Sequence, residues 1–548
     1  MLRKSLALAI ILLLVLGVVA GCGQQASQQG GDQQQQQEKE IAFTISAEVP
    51  NLDPQKATDT YAILVGNAIF EGLIRVHGDG NIQPGMAEKW DVSEDKKTWT
   101  FHLRDAKWSD GTPVTAYDFE YAFKRLLDPN TASEYSYQGY YILNGEKFNK
   151  GEITDPSQVG VKALDEKTLE IKLENPVKYF ESLMSFLSFM PVRKDFVEKM
   201  GEKFAADADK LLYNGPFILK EWKHEQELIL EKNPNYWNKD AIKIDRVKIY
   251  IVNDPNTAYQ MYENGETDWE YIPPELVEQV AAEGKAKYFY DGAEFYLQFN
   301  VKRPGKPWLA NENFQRAVGF AIDREALVKS VMKGVSDPAT RYVLPQLAGL
   351  EKKFVEEYPY EFYSKNADTA KAKEYLEKAM KELNISDPSK LTFEYLTDDT
   401  QRAKLTAEII QDQLKQNLGI EITVKQVPFK QRLELMNKRD YDVVFAGWGP
   451  DYDDPMTYID MWVTGGGHNN TGWSNKEYDE LVKFAKTTDD FKKRADAMFE
   501  AEKLLMEKGP IVPVYFRQRA WVCGDHVKGL VTNFVGPTFD FVYADVEK

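Results

Sequence analysis

The run Tyr441-Asp442-Val443-Val444-Phe445-Ala446 places apolar side chains at consecutive positions and leads directly into Gly447-Trp448-Gly449-Pro450-Asp451-Tyr452-Asp453-Asp454-Pro455. Successive strand residues point to opposite faces, so a strand apolar on both must be covered on both, as in a parallel sheet. That requirement points to an α/β fold. Ligands of such folds collect beyond the carboxyl ends of the strands, so the loop that follows is well placed to bind. Its Pro and Gly residues restrict how far the three carboxylates move. By composition alone the loop is equally a solvated acidic turn, and a held cation is a further reading.

The amino-terminal segment sets the compartment. Arg3 and Lys4 precede an apolar run from Leu6 to Ala20, and Val19-Ala20-Gly21-Cys22 ends it with small residues before a cysteine. This is too short to cross a bilayer comfortably and reads as a signal peptide over 1–21. It resembles a bacterial lipobox, which implies that Cys22 is lipid-modified as the first mature residue. An ordinary signal peptide with a chance cysteine is the alternative. Residues 22–40 then read as that cysteine and a disordered tether, because a stretch rich in Gln, Gly and Ser, with Gln33 to Gln37, cannot bury enough apolar surface to fold.

Beyond Cys22 the only cysteine is Cys523, so no intrachain disulfide holds the mature chain and stability has to come from a core. The remaining length, with 13% aromatic residues, is ample for two or three lobes. A net charge of -18 argues against a nucleic-acid partner and against a basic membrane-facing patch. Attachment to a membrane is then through lipid.

Trp99, Phe101 and Leu103 alternate with Thr98, Thr100 and His102, and Leu169, Ile171 and Leu173 with Glu170, Lys172 and Glu174. Both are half-buried strands. Val247, Ile249 and Ile251 repeat the pattern before Asp254-Pro255-Asn256, which starts a helix that Gly265 stops. Two short helices are expected over 311–334, the second capped by Asp323 and ended at Gly334. A βαβ-like unit is expected over 391–446: strand 391–396, helix 403–418, terminator Gly419 and strand 420–427 before the apolar strand.

Catalytic signatures are missing: no G-x-S-x-G, H-E-x-x-H, phosphate-cradling loop or C-x-x-C occurs. The five histidines, His77, His102, His224, His468 and His526, are scattered and read as surface or satisfied residues. Counted from Asp451 as a calcium loop, position six is Met456 and position twelve Trp462, so an EF-hand fails. Gly465-Gly466-Gly467-His468 reads as a flexible loop rather than an anion cradle.

The segment Gly85-Met86-Ala87-Glu88-Lys89-Trp90, with Lys97 to Arg104 and Trp108-Ser109-Asp110-Gly111-Thr112-Pro113-Val114-Thr115-Ala116-Tyr117-Asp118-Phe119, resembles the signature region of the family 5 extracellular solute-binding proteins. It is most similar to the oligopeptide-binding lipoproteins of ABC importers. Leu52-Asp53-Pro54, Phe70-Glu71-Gly72-Leu73, Asn214-Gly215-Pro216-Phe217, Asn233-Pro234-Asn235-Tyr236-Trp237, Gly265-Glu266-Thr267-Asp268, Ala321-Ile322-Asp323-Arg324 and the 447–455 loop follow in the family's order.

The resemblance implies a periplasmic-binding-protein-like type II α/β fold, with three lobes closing by a hinge over a buried cleft. Lobe I would take 41–70, 200–297 and 513–548, lobe II 71–199 and lobe III 298–512. It implies that Asp451 pairs with a peptide's terminal ammonium and that main chain near Thr58, Asp59 and Thr60 lines one wall. Gly447 and Gly449 flank the acid on the opposite wall, and Trp448, Tyr296, Tyr452 and Tyr515 are pocket aromatics. Asp453 and Asp454 remain turn-forming or solvated acids. Strand-like backbone bonds to an extended ligand do not depend on its side chains, so such a site accepts many sequences. The position just before the loop, where some family members carry a basic anchor for the carboxylate, is Phe445, with Lys438 and Arg439 farther back. The expected protein is a monomeric, lipid-anchored receptor on the outer face of the membrane. It would deliver oligopeptides to ABC permease subunits without a cofactor or covalent chemistry. An oligosaccharide receptor of the same family, a surface peptidase on this scaffold and a peptide-responsive sensor are the alternatives.

Overall fold

The structure is a computed structural model that describes residues 38–76 and 82–547. The expected leader, Cys22 and all but the end of the tether lie outside the described residues. Glu40, expected in the tether, instead opens a strand paired in register with Arg246.

Among the described residues, three sheets position everything else. In the first, Glu40–Ile45 lies parallel to Arg246–Ile251, followed by antiparallel Glu227–Lys232 and Phe217–Lys223. The second is antiparallel throughout, in the order Ala87–Val92, Thr98–Leu103, Thr168–Lys172, Val161–Ala163. Its inward residues are the ones the alternation picks out: Trp99 lies opposite Ile171 and Phe101 opposite Leu169, all four buried. Each such side chain contributes about 1.5–3 kcal/mol on burial.

The third sheet runs Trp269–Tyr271, Ile511–Cys523, Lys287–Phe299, Val443–Trp448, Glu394–Asp398, Thr423–Val427, with Asp337–Pro338 also joined to the 511–523 strand. Here the expectation of a parallel sheet is corrected. The 443–448 strand is parallel to 394–398 but antiparallel to 287–299. Val443, Val444, Phe445 and Ala446 are buried all the same, because layers cover both faces of the sheet whatever the strand direction.

The βαβ unit forms as expected. Thr400 caps Gln401–Leu418 by accepting from the Ala403 amide at 3.2 Å, and Gly419 ends the helix at φ +70°. Ala403, Ala407, Ile410, Leu414 and Leu418 form the buried stripe. Within this unit sequence reading passed over a helix, Phe429–Asn437, which returns the chain to the 443–448 strand. The two helices near 311–334 are Glu312–Ala321 and Arg324–Val331, capped by Asn311 and Asp323. Core residues from Ile41 to Val546 join in one contiguous cluster. Among the described residues, no helix is long and apolar enough to cross a membrane.

Candidate ligand-binding site

The 443–448 strand delivers the loop into a dense polar and aromatic environment. Asp451 is buried, and its carboxylate is held by two neutral donors from a distant segment. Tyr135 Oη donates to Oδ1 at 3.0 Å, and Gln138 Nε2 donates to Oδ2 at 2.8 Å. Its own amide donates to Thr457 Oγ1 at 3.0 Å. Among the described residues it has no ion-pair partner, and burial pushes its pKa up to about 8 despite the two side-chain hydrogen bonds. A carboxylate held this way lacks only a cation.

The neighbouring acids behave differently. Asp453 is exposed and accepts from the Ala348 amide at 2.8 Å. Asp454 is not solvated, which corrects the expectation: it is buried in a two-pronged pair with Arg494, both bonds 2.8 Å. The planar guanidinium satisfies both carboxylate oxygens, which is what allows the acid to be buried. Its Oδ1 also accepts from the Met456 amide at 2.9 Å, so a turn-forming role does hold.

The expected aromatics separate onto two faces. Tyr452 stacks on Tyr179 at 4.3 Å and 7°. Trp448 donates from Nε1 to Thr457 O at 3.0 Å, and its ring meets His468 at 4.8 Å. In register, Glu294 lies opposite Trp448 and Tyr296 opposite Ala446, so these side chains share one face of the sheet. Tyr296 there packs on Tyr342 and Trp462, deep in the core. Phe295 lies opposite both Gly447 and Tyr515 on the other face. Its ring stacks on Tyr515 at 4.9 Å and on Phe445 at 5.6 Å. Gly447 is exposed, and a Cβ there would lie 2.9 Å from the Phe295 ring, whereas Gly449 faces open space.

Gly292 supports the loop from below. It sits at φ +74°, where the pairing of 287–299 with 511–523 shifts register, and an added Cβ would lie 2.0 Å from Phe534 O and 2.6 Å from Pro450 Cδ. Gly292→Ala is expected to cost more than the roughly 1–2 kcal/mol of a left-handed non-glycine residue, because backbone also blocks the methyl group. Thermal unfolding checks this, with a lowered melting temperature expected.

In the segment after Leu52-Asp53-Pro54, Asp59 caps the Thr60–Ile69 helix, accepting from the Tyr61 and Ala62 amides at 3.0 and 2.9 Å. Burial raises its pKa to about 6 despite those bonds. Thr58 is half-buried and Thr60 exposed. The segment is fastened by Asp53, which takes both prongs of Arg125 at 2.6 Å, and by Gln55, which donates to Ser188 O and Met190 O.

One group of residues escaped sequence reading. Arg517 and Arg519 both donate from Nε to Asp291 Oδ2, at 2.7 and 2.9 Å. Burial would raise the Asp291 pKa, but the two guanidiniums hold it below the usual range. Arg402 adds a third guanidinium beside them, and burial with the Arg519 charge pushes its pKa down to about 10. Two cations therefore share one acid, with a third nearby. Arg517 also lies over the Phe295 ring, 4.8 Å from its centroid. The signal available in the sequence was Arg517-Gln518-Arg519, two charges on one face of a strand. Of the histidines, His77 lies outside the described residues and His102, His224 and His526 are paired with carboxylates, while His468 alone departs from the reading of surface or satisfied residues, being buried with Nε2 unpartnered.

Residues 81–470 match the family described as bacterial extracellular solute-binding proteins, family 5 Middle. The dipeptide-binding protein DppE of Bacillus subtilis (strain 168) is 38% identical over 93% of this chain and 92% of its own length. The oligopeptide-binding protein OppA of the same organism is 36% identical over 90% of each chain. The peptide-bound structure of Listeria monocytogenes OppA superposes with a TM-score of 0.88 at 35% identity, over 93% of this chain and 100% of that one. The fold is therefore the type II, periplasmic-binding-protein-like fold of these peptide-binding proteins. The resemblance carried by residues 85–119 and the motifs after them holds: the chain belongs to family 5 of the bacterial extracellular solute-binding proteins.

Proposed function

We propose that this protein is a receptor for short peptides with a free amino terminus, tethered outside the cell by lipid at Cys22, and that it hands its ligand to an ABC permease. The observation that carries the reading is Asp451, a buried carboxylate bonded to neutral donors and lacking a cation. A peptide ammonium supplies that cation, and a charge-assisted bond of this kind contributes roughly 1.5–3 kcal/mol. The relatives named dipeptide-binding and oligopeptide-binding support the ligand class. Their family is described as solute-binding proteins, which supports a binding role.

The ligand would run as an extended strand from Asp451 past Gly447 and Phe295 toward Arg402, Arg517 and Arg519, with main chain near Thr58, Asp59 and Thr60 on the other side. The surplus positive charge of the arginines suits the ligand's terminal carboxylate. It takes the place of the basic residues looked for just before the loop, where Phe445 stacks instead on Phe295. Tyr452, Trp448 and Tyr515 would border the ligand, and Tyr296 would support the sheet behind it.

We read three lobes: 41–70 with 200–297 and 513–548, then 71–199, then 298–512. The two four-stranded sheets fall within the first and second of these ranges. The 287–299 and 511–523 strands cross between the first and third and are the natural hinge. Closure excludes water and strengthens the Asp451 pair.

Calorimetry tests the reading. Free-amine peptides are expected to bind and their N-acetylated forms to bind at least about 100-fold more weakly, as expected when one partner of a buried charge pair is removed. Equal affinity for both would refute the amine anchor. Oligosaccharide binding without peptide binding would favour the sugar receptor, and peptide cleavage seen by mass spectrometry would overturn a binding role.

A further inference from the structure

The bonds that hold Asp451 leave an acceptor beside it without a partner. Gln138 lies in the Ser136–Tyr141 turn and is 1% exposed. Its Nε2 donates to Asp451 Oδ2 at 2.8 Å. Once a cation is bound beside it the carboxylate is ionised and only accepts, so in that state this bond fixes which way the amide faces. Oε1, on the same carbon as Nε2, therefore stays within one amide's width of the carboxylate, buried and with no hydrogen-bond partner. Buried carbonyl oxygens are normally satisfied, so one held open beside an uncompensated acid calls for a donor.

The surroundings have the same character. His468 is buried against Tyr135 and Trp448, with ring centroids 4.8 Å from each. Burial holds its pKa down to about 3, so the ring is neutral, and its Nε2 also lacks a partner. Its Nδ1 is on the side of Glu134, 3.9 Å from Oε2. The unpartnered groups there are thus Gln138 Oε1, His468 Nε2 and the Tyr137 hydroxyl, and with two acceptors side by side at Asp451 and Gln138 the occupant that complements the place is a cation with several N–H bonds. A primary ammonium has three and a secondary ammonium two. A single carboxylate would attract both almost equally, whereas a second fixed acceptor discriminates between them.

We propose that Gln138, through Oε1, is a second ligand of the bound ammonium and that it makes the receptor select primary over N-substituted amino termini. This rests on the peptide reading above and adds a specificity that Asp451 alone does not give. N-methylation keeps the positive charge, so it separates hydrogen-bond count from electrostatics.

The test is calorimetry at neutral pH with trialanine, N-methyl-trialanine and the proline-headed peptide Pro-Ala-Ala. Wild-type protein is expected to bind trialanine about 10-fold more tightly than either secondary amine, the size of one hydrogen bond to a charged group. In Gln138→Met, which keeps the side-chain length without the carbonyl, trialanine should weaken and the ratio fall below about 3-fold. A wild-type ratio near one overturns the proposal even if Gln138→Met does not fold. So does a ratio that persists in Gln138→Met, which would mark simple crowding by the methyl group. Failure of wild-type protein to bind any of the three peptides would remove the peptide reading and this role together.

Discussion

Asp451→Asn is expected to weaken binding of a free-amine peptide by about 10²–10³-fold, because it leaves an ammonium buried without its counter-charge. The same substitution should stabilise the empty protein. Asn accepts from Gln138 through its oxygen and donates to Tyr135 through its nitrogen, so the local hydrogen bonds survive while the buried charge disappears. The sign follows from the direction of the shift. The folded pKa of about 8 lies above the ordinary 3.8, so the wild-type group contributes most to stability below the ordinary value and loses that contribution as pH rises toward 8. The melting temperature of empty Asp451→Asn should therefore exceed that of wild type by a margin that grows between pH 5 and pH 8. Melting curves across that range check it. A margin independent of pH would mean that Asp451 is solvated in the empty protein. A site that binds better than it folds is expected where function requires a desolvated charge.

Arg494→Leu should have the largest effect on stability. Arg494 and Asp454 form a two-pronged pair with side-chain exposures of 10% and 8%, so removing the cation strands a buried carboxylate. Breaking such a pair costs about 3–5 kcal/mol. The loss should extend to binding, because Asp454 fixes the loop three residues beyond Asp451 and Arg494 also lies 5.4 Å from the centroid of Tyr179, which stacks on Tyr452. Denaturant unfolding and calorimetry read both effects. Adding Asp454→Asn to Arg494→Leu should restore much of the stability, since neither charge is then left alone. An unchanged denaturation midpoint in the single variant would show that the pair contributes nothing net.

The parts of this protein visible in its sequence are those decided over a few residues. Alternation located the Trp99 and Leu169 strands, caps located the helices after Asp254 and Asp323, and Gly419 located the end of the 401–418 helix, because these depend on neighbours in the chain. Asp451 was singled out by its motif. What holds Asp451 was not visible: Tyr135 and Gln138 lie 316 and 313 positions away, and no local pattern connects them to it. The same reason hid the partner of Asp454, a lone arginine on a helix otherwise rich in Lys and Glu. Strand direction was misjudged because burial on both faces reports the layers above and below a sheet, not the course of its neighbours. Arg517 and Arg519 could have been read from their spacing, but Asp291, which gathers them, could not.

The pairing of the 287–299 and 511–523 strands also has a consequence in time. Arg517 meets Asp291 across 226 positions, so a ribosome completes the earlier strand long before its partner exists. Such distant pairings are slow to form because the intervening loop must first be closed. Trp269–Tyr271 waits on the same late strand, and Glu40–Ile45 waits for Arg246–Ile251. Until the late strands emerge, the growing polypeptide has no means of completing its central sheet.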